Sequence, residues 1–276
     1  MTATGSPVAS FREAGAGVGV VCLHASASSS TQWRPLMDRL ASRFHVLAVD
    51  LYGSGRSPRW PDERPLSLLD ETALIEPVLA GAGERFHLVG HSYGGAVALR
   101  TALAAPGRVE SLVLFEPVLF SILMAADPAQ PAAREIVAVR DETVGALERG
   151  RPDLAGAEFV DYWMGAGTWA SVPEPRRAGI ATAMRSVRAQ WNALFTEPAP
   201  LSAFATLEVP ILYITGSESP ASARAVAQLL TKNLPRVTVV ELDGVGHMAP
   251  VTHPDPVNAL IEGHLERCHD RNRRSF

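Results

Sequence analysis

The sequence has little cysteine: two residues, Cys22 and Cys268, in a chain of 276. Two isolated thiols exclude a disulfide-stapled scaffold and a cysteine-built metal centre, which need several cysteines at short, regular spacings. Cys22 lies inside an apolar run and reads as a small buried hydrophobe. Long hydrophobic runs are missing too. None approaches the ~18 apolar residues that span a bilayer, and residues 1–12 lack the basic-then-apolar pattern of a secretory leader. The expectation is a soluble, cytoplasmic protein that neither crosses nor coats a membrane. Excess positive charge is also absent: the formal net charge is −4 and no stripe of Lys and Arg is interleaved with aromatics. That disfavours nucleic acid as a partner. The one basic cluster, 267–274, reads as a solvated, frayed tail. There is no metal-ligand cluster and no phosphate-cradling glycine loop, so no metal and no cofactor is expected. A small-molecule substrate is the partner that remains. Nothing in the sequence sets the oligomeric state.

Hydrophobic residues make up 47% of the chain and charged residues 20%, ordinary proportions for a globular protein. The length suits one domain carrying an insertion, or at most two small domains. Near-continuous apolar runs at 18–23, 45–50, 86–89, 111–115, 209–215 and 237–242 read as strands covered on both faces. Helical patterns at 32–42, 66–82, 93–104, 221–233 and 256–267 alternate with them, the mark of a parallel sheet with crossover helices. The alternation breaks once. Between the runs ending at Phe115 and starting at Val209 there are only helical patterns, at about 131–148, 153–164 and 173–195, studded with aromatic residues. The division expected is an α/β core from 1–117 and 201–276, with a helical cap, 118–200, over the strands' C-terminal edge, where open α/β sheets bind ligands.

Gly90-His91-Ser92-Tyr93-Gly94 follows a predicted strand and opens a predicted helix. A reversal that tight strains the serine backbone and lifts its hydroxyl off the sheet. It also points a helix N-terminus at the same spot, so that the Tyr93 N–H can meet a developing oxyanion. Serine needs an adjacent base to act as a nucleophile. Gly244-Val245-Gly246-His247 supplies one on a flexible loop after the last strand. The other histidines are weaker candidates; His45 and His87, at strand starts, read as edge or solvated residues. The small residues of His24-Ala25-Ser26-Ala27-Ser28, closing an early strand, let backbone N–H groups approach a substrate, so Ala25 or Ser26 is expected to supply the second oxyanion donor.

These pieces, together with Asp50-Leu51-Tyr52-Gly53-Ser54-Gly55-Arg56-Ser57, resemble the α/β-hydrolase superfamily across nearly the whole chain. The last stretch looks like that family's D-x-x-G-x-G-x-S turn, whose role there is mostly structural. The resemblance implies an eight-stranded, mostly parallel sheet flanked by helices, with a helical cap between strands six and seven. One position departs from the pattern. The family usually carries its acid after strand seven as G-x-x-D, but here that stretch is Gly216-Ser217-Glu218-Ser219, with serine in the acid's slot. Two carboxylates compete for the role. Glu116 ends the strand-six run, where haloalkane dehalogenases and mycotoxin-lactone hydrolases in the superfamily place their acid, and it is the expected partner of His247. Glu218 is its rival.

A serine, a histidine and a carboxylate with two oxyanion donors imply acyl transfer to water. A serine at position 92 argues against the dehalogenase and epoxide-hydrolase chemistries of this fold, which use an aspartate. Phe115, Leu119, Phe120, Trp163, Trp169 and Trp191 are candidate cavity walls, which suggests a small or medium, apolar ester or lactone in an esterase- or lactonase-like enzyme. The same machinery would serve a thioester, an amide or a C–C bond beside a carbonyl. The competing reading, motivated by Ser219, is a catalytically weak ligand-binding protein on the hydrolase scaffold.

Overall fold

The computed structural model describes residues 7–61 and 63–274, the last three of them by backbone alone. The reading of residues 1–12 therefore falls partly outside the described residues. The elements run β1 (Phe11–Ala14), β2 (Val18–Leu23), α1 (Arg34–Leu40), β3 (Phe44–Val49), α2 (Leu68–Gly81), β4 (Phe86–His91), α3 (Tyr93–Ala104) and β5 (Val109–Phe115). Five helices come next without a strand: α4 (Phe120–Ala126), α5 (Pro131–Glu148), α6 (Pro152–Met164), α7 (Thr168–Ser171) and α8 (Glu174–Thr196). The chain then returns to the sheet with β6 (Ile211–Gly216), α9 (Ala221–Asn233), β7 (Val237–Leu242), α10 (Ala249–Thr252) and α11 (Pro254–Arg274).

The strands form one sheet in the order β1-β3-β2-β4-β5-β6-β7. Every pairing is parallel except β1 with β3. Among the described residues the sheet has seven strands, where the resemblance implies eight. The inserted helices accordingly fall between the fifth and sixth strands present. β1 went unread because it is a four-residue edge strand whose side chains are all partly exposed, and so carries no apolar run. β7, expected to be covered on both faces, is an edge strand with Val239 half exposed. His87, expected at an edge, is fully buried because β4 lies inside the sheet between β2 and β5. Its Nδ1 meets the Ser111 hydroxyl at 2.8 Å. The stretch expected to fray after residue 267 continues as helix α11.

Two buried apolar clusters sandwich the sheet. One collects side chains of α2, α3, α9 and the inserted helices, with Leu88, Leu112 and Tyr213 from the strands. The other joins α1 and α11 to Val89, Val113 and Ile214. Among the described residues, no helix is long and apolar enough to cross a membrane. The loops after β2, β4, β5 and β7 all leave the C-terminal edge of this sheet, so residues 24, 92, 116 and 247 converge on one rim.

Helix α2 starts two residues later than its apolar pattern suggests because Ser67 caps it. The Ser67 hydroxyl accepts from the Asp70 N–H, and the Asp70 carboxylate accepts from the Ser67 N–H at 3.0 Å. Replacing Ser67 by Ala is expected to lower the unfolding free energy by about 0.5–2 kcal/mol. Urea unfolding with an unchanged slope checks this, and an unchanged midpoint would contradict it.

Candidate active site

Ser92 stands between β4 and α3 with φ 55° and ψ −117°, a left-handed conformation that a serine adopts only where its surroundings enforce it. They do so here. The Ser92 N–H donates to the Phe115 carbonyl at 2.9 Å, and the Gly94 N–H to the His24 carbonyl at 3.1 Å. A Cβ on Gly90 would come within 2.5 Å of the Gly94 carbonyl oxygen, and one on Gly94 within 2.3 Å of the Leu23 carbonyl oxygen. Both glycines are therefore required by close approach of backbone to backbone.

The loop after β7 brings His247 over this turn. Its Nε2 lies 2.9 Å from the Ser92 Oγ and its Nδ1 2.6 Å from the Glu116 Oε2. All three side chains are nearly or fully buried. Glu116 also has a positive φ, 41°, and its other oxygen accepts from the Thr215 hydroxyl at 2.6 Å and the Gly216 N–H at 2.8 Å. Burial alone would raise this carboxyl. The hydrogen bonds from His247, Thr215 and Gly216, with the attraction of the imidazole, outweigh it and hold Glu116 below the ordinary carboxylate range. Glu218, the rival, is exposed, and Ser219 in the slot where the resembled family usually has its acid is buried, its hydroxyl without a hydrogen-bond partner among the described residues.

The loop after β2 lies across from the elbow. Its Ala25 N–H donates to Gln32 Oε1 at 3.1 Å, so that donor is already engaged and Ala25 is set aside as an oxyanion donor. The Ala25 carbonyl accepts from His24 Nδ1 at 2.7 Å, and His24 Nε2 accepts from the Leu51 N–H. Ser26 is left as the candidate from this loop. Tyr93, the first residue of α3, has no acceptor for its N–H within the helix. The D-x-x-G-x-G-x-S stretch braces the base of this loop: Asp50 accepts from the Ser30 and Arg56 N–H groups, and the Ser57 hydroxyl donates to the Asp50 carbonyl.

Over Ser92 and His247 lies a small, partly open cavity of about 100 Å³. Phe120, Trp163 and Trp191 line it, as expected. Three expected walls do not. Phe115 packs edge-on against His91 within the sheet, Leu119 is fully buried in the core, and Trp169 lies against Gly156 between the inserted helices. Residues missed include Phe159, Ile180, Leu194, Met248 and the charged Arg176. Phe159, Ile180, Leu194 and Arg176 come from helix faces whose orientation is set by packing of the insertion, and Met248 from the loop after β7. The Trp163 ring lies over the His247 ring with centroids 4.2 Å apart and planes 33° apart.

Glu71 was also missed. It is fully buried on α2, accepting from the Tyr93 hydroxyl at 2.9 Å and the Tyr52 N–H at 3.1 Å. It thereby ties the helix to the residue after Ser92. No sequence motif marks it; a carboxylate on the apolar face of a predicted helix was the available signal.

A strained serine at the end of an interior parallel strand, with a histidine and a carboxylate delivered by later loops of the same rim, defines a hydrolase of the α/β fold. The profile described as "Alpha/beta hydrolase family" matches residues 20–260, and the chain belongs to that family. Over 265 residues it is 28% identical to a pimeloyl-[acyl-carrier protein] methyl ester esterase of Edwardsiella ictaluri, covering 88% of this chain and 91% of that protein. A shorter stretch of 153 residues is 34% identical to "Probable lysophospholipase BODYGUARD 2" of Arabidopsis thaliana, covering 53% of this chain but only 32% of the relative. The solved structure of a thermophilic esterase from Thermogutta terrifontis superposes with a TM-score of 0.76 at 24% identity, covering 97% of both chains, which shows the fold.

Burial pushes Glu71 up to about 7, against the hydrogen bonds from Tyr52 and Tyr93 that pull the other way. The folded chain thus keeps a proton that the unfolded chain has released. The stability this contributes is complete below the ordinary value of 4.5 and is lost as the pH rises through about 7. Urea unfolding of wild type and Glu71→Gln between about pH 4 and pH 8 measures it. The wild type should lose stability relative to the variant as pH rises, and a constant difference would refute the assignment.

Proposed function

We propose that the protein hydrolyses a small or medium, largely apolar carboxylic ester or lactone through an acyl-enzyme, with Ser92 as nucleophile, His247 as general base and Glu116 as the acid that orients it. The observation that carries this reading is the pair of hydrogen bonds on His247, 2.9 Å to Ser92 and 2.6 Å to Glu116. A carboxylate on Nδ1 fixes the ring so that Nε2 faces the hydroxyl with a free lone pair.

As Ser92 Oγ attacks the substrate carbonyl carbon, its proton passes to His247 Nε2 and the carbonyl oxygen becomes an oxyanion. The N–H groups of Tyr93 and Ser26 receive that charge. The tetrahedral species collapses as His247 returns the proton to the leaving alcohol oxygen. A water then repeats the sequence on the acyl-enzyme, releasing the acid and restoring Ser92. Phe120, Trp163 and Trp191 form apolar walls suited to an aliphatic or aromatic acyl group. Trp163, stacked on the base, helps to exclude water from it. The relatives named as esterases agree with an ester substrate.

Ser92→Ala is expected to lower kcat on a p-nitrophenyl ester by roughly 10⁴–10⁶-fold. Glu116→Gln should cost on the order of 10³–10⁴-fold, because the amide no longer holds the reactive tautomer. The exposed Glu218→Gln should leave the rate unchanged. A crippled Glu218→Gln beside an unimpaired Glu116→Gln would reverse the assignment of the acid. Full activity in Ser92→Ala, or no labelling of the folded wild type by a fluorophosphonate, would remove the mechanism altogether.

A further inference from the structure

The two loops that flank Ser92 are joined behind it by an unbroken chain of hydrogen bonds. The Ala25 N–H donates to Gln32 Oε1 at 3.1 Å, Gln32 Nε2 meets His91 Nδ1 at 3.1 Å, and His91 Nε2 meets the backbone carbonyl of His247 at 2.9 Å. The direction of each bond is fixed by its neighbours. A carbonyl can only accept, so His91 carries its proton on Nε2 and offers a lone pair at Nδ1. The Gln32 amide must then turn its NH₂ toward His91 and its oxygen toward Ala25. The flipped amide would face two donors against each other at one end and two acceptors at the other. His91 is fully buried and pushed down to about 3 by burial, with the neighbouring His247 adding to it, so the ring stays neutral and the pattern holds at neutral pH.

The chain acts on both groups that the reaction needs. At one end it fixes the peptide before Ala25, while the peptide after Ala25 is fixed by the His24 bond to the Ala25 carbonyl. In a trans peptide the C=O and the following N–H point in opposite directions. With the Ala25 carbonyl turned to His24, the Ser26 N–H is directed away from it, and Gln32 holds the preceding peptide. At the other end the chain holds the His247 backbone, whose side chain meets Ser92. Gln32 is itself placed by Asp50, which accepts from the Ser30 N–H at 2.6 Å at the start of the same turn.

We propose that Gln32 and His91 are positioning residues that hold the oxyanion loop and the His247 loop in register across Ser92. This rests on the acyl-enzyme reading above. Neither residue reaches the reacting atoms; His91 works through the backbone of His247, and Gln32 through Ala25, the residue before the proposed oxyanion donor Ser26.

The test uses the full chain with Gln32→Met and His91→Leu, singly and together, and with His91→Gln, whose amide can still donate to the His247 carbonyl. Each apolar variant is expected to lower kcat about 10- to 100-fold through misplacement of the reacting groups. KM should change little, and fluorophosphonate labelling should slow by the same factor as kcat. The double variant should fall no further than the worse single, since both break one chain, and His91→Gln should recover part of the loss. An unimpaired kcat in Gln32→Met, multiplying losses in the double, or losses that disappear when rates are scaled to the folded fraction would each overturn the proposal. If His91→Leu fails to fold, Gln32→Met and His91→Gln decide the matter by the same readouts. Wild-type labelling that Ser92→Ala abolishes, beside unimpaired brace variants, removes the brace alone; a wild type that is not labelled removes both readings.

Discussion

An imidazole is useful to a hydroxyl only while one nitrogen is kept bare and aimed at it, and the rim of this protein is organised around that constraint at His247. Glu116 takes Nδ1, Ser92 faces Nε2, and the Trp163 ring covers one face of the imidazole. The contributing residues come from the turn after β4, the loop after β5, the inserted helices and the loop after β7. No stretch of sequence could deliver them together; the parallel sheet does so by ending its strands at one edge.

The backbone records where this arrangement is forced. Among the described residues, three non-glycine residues have positive φ: Ala27, Ser92 and Glu116. One lies in the proposed oxyanion loop, one is the proposed nucleophile and one the proposed acid. Each such conformation costs of order 1–3 kcal/mol and persists only where the surroundings over-determine it. The hydrogen bonds to the Phe115 and Ile214 carbonyls, and the glycine contacts beside Ser92, are those surroundings.

Much of this was legible in the sequence for a physical reason. Strands buried on both faces must be apolar throughout, so the interior strands stood out, while the short, half-exposed β1 and the buried His87 did not follow from local pattern. Ser92 was marked by glycines that no other residue can replace, His247 by a glycine-rich loop after the last strand, and Glu116 by its place at a strand's end. The engagement of Ala25 was illegible because it depends on a side chain seven positions along folding back. The cavity walls divided for a similar reason: Phe115, Leu119 and Trp169 are as apolar as Phe120, Trp163 and Trp191, and only the packing of the insertion decides which of them meet empty space. Glu71 and the Gln32–His91 chain carry no motif at all.

The place of the proposed acid at the end of β5 bears on the turn after β6. The turn after β6 keeps a glycine pressed against the Val245 carbonyl and a buried serine whose hydroxyl has no hydrogen-bond partner among the described residues. That turn still acts on the imidazole at one remove, for its Gly216 N–H donates to Glu116 and its Glu218 N–H to the Val245 carbonyl in the His247 loop.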